Sequence, residues 1–171
     1  MGKVRKYNLR VRLITGFIYK DEAFFIKSRD VLNRRFGRID FDSGPLNLNH
    51  IPYYEKEMGT GLVKRFISFS KPVPVESLYR IKLYTNRLEA RLSDSGRRRV
   101  NIDPGYIDLA KLVLASTKDY AHRLYLRKGI FAEITLTYRD NSFTPNDWTY
   151  PDYRGQEYID IFNKIRRVYI S

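Results

Sequence analysis

A chain of 171 residues with 43% hydrophobic side chains can bury the core of one folded domain, which argues against disorder. It has no cysteine, which excludes disulfides, thiolate zinc sites and cysteine nucleophiles, and no apolar run near about 18 residues, which excludes a membrane-spanning helix. Thirty-two Lys and Arg against 19 acids give a net charge of +13, which attracts polyanions through counterion release or simply keeps a charged surface in solution.

Residues 1–12 carry Lys3, Arg5, Lys6, Arg10 and Arg12 without an acid, and are set apart as a basic extension. They lack an apolar stretch of signal-peptide length and a small-residue cleavage site, so the expected location is cytoplasmic. LITGFIY, 13–19, has the length and the β-branched and aromatic content of a buried strand. Asp21 and Glu22 suit a helix start, where the dipole favours acids. Phe24, Phe25, Val31, Leu32 and Phe36 recur at helical spacing, and Gly37 suits the position after the last turn. RIDFDS begins a strand at 38 that loosens at Gly44-Pro45, and YYEKEMG, 53–59, predicts a short helical turn. VKRFISFS, 63–70, is a second strand, ended by Pro72 and Pro74. From 76 to 92, Leu78, Ile81, Leu88 and Leu92 mark one helix face, closed by Asp94-Ser95-Gly96. RRRVNID, 97–103, predicts a strand that turns at Pro104-Gly105 toward a short helix, LAKLVLAS, capped by Asp108.

This order of strand, helix, strand, strand, helix, strand predicts a single α+β domain over 13–171, ferredoxin-like (split β-α-β) in its N-terminal half. A hairpin over 122–138, turning on Lys128-Gly129, and a last helix over 156–169 extend it.

The candidate site residues follow from strand alternation. Val100 and Ile102 face the core, Arg97, Arg99, Asn101 and Asp103 line the opposite face, and Arg98 sits at the rim. Arg99 and Asn101 could donate to phosphate or a base edge, since a guanidinium is a planar fork; an ordinary solvated strand face is the competing reading. A two-residue hairpin turn places Arg127 opposite Ile130, Leu124 opposite Glu133 and His122 opposite Thr135. His122 then lies diagonal to Glu133, as an oriented acid–base pair or as a plain hydrogen-bonded pair on a wet face. His50, in a Pro-flanked loop, is the weaker histidine. Lys118 and Arg123 could hold a phosphate near His122. In FTPNDWTYPDYR, 143–154, the rings of Trp148, Tyr150 and Tyr153 can stack on bases beside Arg154, or the loop can pin the last helix.

GTGLVKR, 59–65, is not a P-loop, because Lys64 leads into a strand and no Ser or Thr follows it. With no Cys and no His pair at helical spacing, no metal site is predicted beyond a Mg²⁺ carried with a nucleotide. Three functions remain in play. The first is RNA or nucleotide binding, the second a small enzyme acting on a phosphorylated substrate through His122 and Glu133. The third is an adaptor that uses the apolar hairpin tip. No membrane partner is expected, and the sequence names no cofactor or oligomeric state.

FGRIDFDS, YYEKEMG, RRRVNIDPGY, KDYAHRLYL, AEITLTYR and WTYPDYR, spread over most of 13–167, resemble a family of unknown function found in bacteria and archaea. The resemblance implies membership and carries no reaction, so it assigns no catalytic residue. The basic extension over 1–10 is longer than the resemblance leads one to expect.

Overall fold

The computed structural model describes residues 9–48 and 52–170; Lys3, Arg5 and Lys6 of the basic extension, and His50, lie outside the described residues. Strand β1, Arg10–Tyr19, is buried from Val11 onward and starts three residues earlier than the sequence pattern suggests. The reason is that its first residues have partners. Arg10 and Val11 pair with the short strand β5, Val73–Pro74. The buried Arg12 guanidinium binds the Asp40 carboxylate and donates to the Val168 carbonyl at 3.1 Å. Part of the basic extension therefore belongs to the domain.

Helix α1, Glu22–Phe36, is capped by Asp21, whose carboxylate accepts from the Ala23 N–H. There follow β2, Ile39–Asp42, β3, Leu46–Asn47, the short helix α2, Pro52–Met58, and β4, Val63–Phe69. A 3₁₀ turn, Val75–Ser77, leads into α3, Leu78–Leu92. Beyond it run β6, Val100–Ile107, β7, Lys111–Ser116, β8, Arg123–Arg127, β9, Ile130–Arg139, and β10, Ser142–Pro145. A second 3₁₀ turn, Pro151–Arg154, precedes α4, Gln156–Ile170.

The main sheet order is β10-β9-β7-β6-β1-β4-β2, with neighbours antiparallel. β1 and β2 both oppose β4, which lies between them, so the chain is an α+β domain in which β4 splits the β1-α1-β2 connection. One face carries α1 and α3 over Phe17, Phe25, Leu32, Phe69, Ile81 and Ile102. The other carries α4 over Ile14, Phe66, Leu112, Leu136 and Phe143, with Phe162 and Ile165 fully buried. No helix among the described residues is long and apolar enough to cross a membrane.

Three local expectations are corrected. First, Asp103-Pro104-Gly105 is not a turn, because β6 runs straight through it. The tight turn lies earlier, closed by Asp94 and Arg97, so all three arginines precede the strand. Second, the stretch 109–116 is not a helix; from Lys111 to Ser116 it forms strand β7. Leu112 to Ala115 are all buried, with β6 on one side and β9 on the other, and a short run apolar on both faces suits either element by pattern alone. Asp108 caps the turn between β6 and β7, accepting from the Ala110 and Lys111 N–H groups.

Third, the hairpin does turn on Lys128-Gly129, both at positive φ, and Arg127 does face Ile130. A bulge between Tyr125 and Arg127 then shifts the register by one. Arg123, not Leu124, faces Glu133, and His122 lies in the turn before the strand rather than opposite Thr135.

Candidate functional site

β6 and β7 pair only over Gly105–Ile107 and Leu112–Leu114. Toward the start of β6 the two strands separate, and the sequence shows why. A Cβ on Gly105 would lie 2.3 Å from the Val113 carbonyl oxygen, so only glycine permits the last close pairing. Pro104, the next residue toward the split, has no N–H to donate, which ends the ladder there.

A cavity of about 500 Å³ occupies the opening. Lys64, Ile18 and Asn101 form one cross-strand row of its lining. In the neighbouring row Gly16 lies between Phe66 and Asp103, and a Cβ there would press on the Phe66 ring at 3.1 Å and touch Lys64 Cε at an ordinary 3.5 Å.

The free edge of β6 still carries backbone groups that need partners. Helix α3 supplies them from residues two turns apart. Lys82 Nζ donates to the Ile102 carbonyl at 3.2 Å and to Asp103 Oδ1 at 3.1 Å, and the Ile102 N–H donates to Glu89 Oε1 at 2.6 Å. Arg98 binds Glu57 of α2 through both carboxylate oxygens and donates to Asn101 Oδ1 at 2.7 Å. Asn101 in turn donates to Asp103 Oδ2 at 2.6 Å. Burial pushes the Glu89 carboxyl up to about 7, opposed by Lys82 and reinforced by Asp103. For Asp103 burial also acts upward, but the Lys82 and Lys64 charges outweigh it and hold the carboxyl below its usual range.

The facing wall is built on a buried ion pair. Arg123 and Glu133 side chains are each 2% exposed, with Nε donating to Oε2 at 2.8 Å. The same guanidinium donates to Ser116 Oγ, the Lys118 carbonyl and the Tyr150 hydroxyl, so its donors are committed. His122 Nε2 stands 3.0 Å from the oxygen that Arg123 holds. Its ring is stacked between Tyr120 and Trp148, at 5.9 and 5.7 Å.

Of the residues singled out from sequence, Asn101, Lys118, Arg123, Glu133, Tyr150 and Tyr153 line the cavity. Arg97 is exposed in its turn, and Arg99 pairs with Asp94 at the surface. Thr135 is buried beside Glu133, with its hydroxyl 3.4 Å from Oε1. Trp148 donates to the Ile134 carbonyl, and Arg154 to the Thr149 and Asp147 carbonyls, so these two hold the loop in shape.

The sequence reading missed Lys64, Lys82, Asn86 and Glu89, which also line the cavity, as does Arg98, which it placed only at the strand's rim. Two signals pointed to them: Lys82 and Glu89 fall within the buried stripe of α3, and Gly16 interrupts a buried strand.

Five basic and four acidic side chains line the cavity, and the basic ones are not all paired. Among the described residues Lys64 and Lys118 have no carboxylate partner. Lys64 Nζ lies 5.1 and 5.3 Å from the ring centres of Tyr153 and Phe66, and Lys118 Nζ lies 4.5 Å from that of Tyr53. Tyr53, Tyr54, Tyr120, Tyr150 and Tyr153 complete an aromatic lining.

Compared with known proteins, residues 9–169 match the family described as Domain of unknown function (DUF4416). No curated protein and no solved structure matches the chain.

Proposed function

The chain belongs to that family, and we propose that it binds a phosphorylated small molecule, up to nucleotide size, in the cavity between β6 and β7. The observation that carries this reading is the pair of lysines facing the cavity without carboxylate partners among the described residues. A phosphate would neutralise them, and a guanidinium or ammonium bond to phosphate is charge-assisted. The volume of about 500 Å³ is within the range of small-molecule sites. The tyrosine rings offer stacking surface to a base or sugar.

A cleft of this volume suits a mononucleotide or sugar phosphate, and Arg97 and Arg99 lie off it. The acid–base reading of His122 and Glu133 gains little support, because Arg123 already neutralises the carboxylate that the imidazole meets.

The test is a thermal-shift and calorimetric screen of the full chain against nucleoside phosphates, sugar phosphates and short single-stranded RNA. A ligand at a hundredfold excess over its Kd stabilises the fold by about 3 kcal/mol. We expect such a shift with a small phosphorylated ligand and its reduction in Lys118→Ala. Binding of RNA without any response to small phosphorylated molecules would overturn the reading.

A further inference from the structure

Lys64 differs from every other cation in the cavity. Lys82, Arg98 and Arg123 are committed to hydrogen bonds, and Lys118 is exposed. Lys64 is 2% exposed, yet among the described residues it makes no hydrogen bond and no ion pair. It stands on β4 at a point paired on both sides, by Ile18 of β1 and Leu46 of β3, which fixes its root. Its amine lies near the faces of Phe66 and Tyr153, and its charge acts on the Asp103 carboxylate with no hydrogen bond between the two.

An ordinary phosphate-binding lysine sits among several donors in a polar cradle. A primary amine rooted on a rigid strand, walled by aromatic rings and opening into a ligand cavity is instead the setting of a nucleophilic lysine. We infer that Lys64 forms an imine with a carbonyl group of the ligand while Lys118 is left to meet the phosphate, so that the ligand's class is narrowed to phosphorylated aldehydes and ketones. This rests on the reading of the cavity as a site for a small phosphorylated molecule.

The chemistry balances without an oxidant or reductant. The Lys64 ammonium first gives a proton to water in the cavity; the free amine adds to the carbonyl carbon, and the carbonyl oxygen takes up the proton that the nitrogen then releases. The resulting carbinolamine loses its hydroxyl group as water, taking a proton from the cavity's water, and nitrogen gives up its remaining proton or keeps it as the iminium. The products are the imine and one water molecule. The two rings, whose centres are 5.8 Å apart, cover one side of the amine and limit the access of water that would reverse the step.

The test uses pyridoxal 5′-phosphate, a phosphorylated aromatic aldehyde, with cyanoborohydride to trap any imine on the full chain, followed by peptide mass mapping. The expected result is a dominant adduct on Lys64, in preference to exposed lysines such as Lys20 and Lys56, and its loss in Lys64→Arg. That variant keeps a cation among the rings but cannot form the imine. Should it fold poorly, the map of the unaltered chain still decides.

An adduct confined to exposed lysines, or none at all, overturns the inference. If phosphorylated ligands without a carbonyl still raise the melting temperature in that case, the phosphate cavity stands and only the imine falls. If pyridoxal without its phosphate labels Lys64 as well as the phosphorylated form does, the imine stands and the phosphate reading falls.

Discussion

Arg98 and Arg99 are adjacent in the chain and have opposite fates. Arg98 ties α2 to β6 through Glu57 and Asn101, while Arg99 meets Asp94 with the two side chains 48% and 59% exposed. Charge-assisted hydrogen bonds of partly buried groups contribute roughly 2 kcal/mol. Arg98→Ala is expected to lower stability by about that amount in urea titration, and Arg99→Ala to leave the midpoint unmoved. Strand alternation placed Asn101 correctly, but it could not reach the arginines, because the Asp94–Arg97 turn places them before the first strand residue. The His122–Glu133 contact was also legible, although for the wrong reason. The register argument required an unbroken hairpin, and the bulge brings Arg123 opposite Glu133 instead. Removing one member of a buried ion pair costs about 3–5 kcal/mol. Glu133→Ala should therefore approach that loss in chemical denaturation, while His122→Asn should cost a small fraction of it. Comparable losses from the two would contradict the assignment of Glu133 chiefly to Arg123.

At the scale of elements, the informative pair is α3 and β6. The Glu89 carboxyl rises from an ordinary 4.5 to about 7, so the folded chain holds a proton that the unfolded chain has released. Between those values stability falls as pH rises, by up to something on the order of 3 kcal/mol. Glu89→Gln should flatten that slope in pH-dependent melting. The groups facing Glu89 are Lys82, Arg98 and Asp103. Its protonation makes the cavity more positive, so a phosphorylated ligand should bind more tightly as pH falls through about 7, and calorimetry should find this component missing in Glu89→Gln. Gly105 gives a second expectation. Alanine there meets the Val113 carbonyl oxygen at 2.3 Å, a backbone atom that cannot swing aside. Overpacking of this kind costs about 1–3 kcal/mol, and Gly105→Ala should fall at the upper end when its melting is followed by circular dichroism. The paired residues Pro104 and Gly105 invited a turn from sequence. Their actual use is to end a ladder, which depends on a neighbouring strand that local pattern cannot see.

Across the whole molecule, what could be read in advance was whatever depends on nearby residues. That includes α1 with its cap, α3, the two-residue hairpin turn and α4. The cavity depends on which strands stop pairing, and its two walls are some tens of residues apart in the chain, so spacing rules gave only fragments of it. Helix α4 packs a core drawn from β1, β4, β6, β7, β9 and β10, which joins the two sides of the opening. Unfolding is therefore expected as one transition. The single Trp148 lies on the β9 side and reports it by fluorescence, while circular dichroism follows all the helices. Separate midpoints for the two signals would mean that α4 does not couple the sides. The division between the walls also bears on inheritance. One side comes from β1, α2, β4, α3 and residues 98–103, and the other from a later, uninterrupted stretch, 114–153. Exchanging the later stretch between members of the family would replace Tyr120, Tyr150 and Tyr153 together and leave Lys64, Lys82 and Glu89 untouched. Under the proposed function, one contiguous piece of coding sequence would carry the aromatic part of the ligand's site, while the residues proposed to hold its reactive end stay behind.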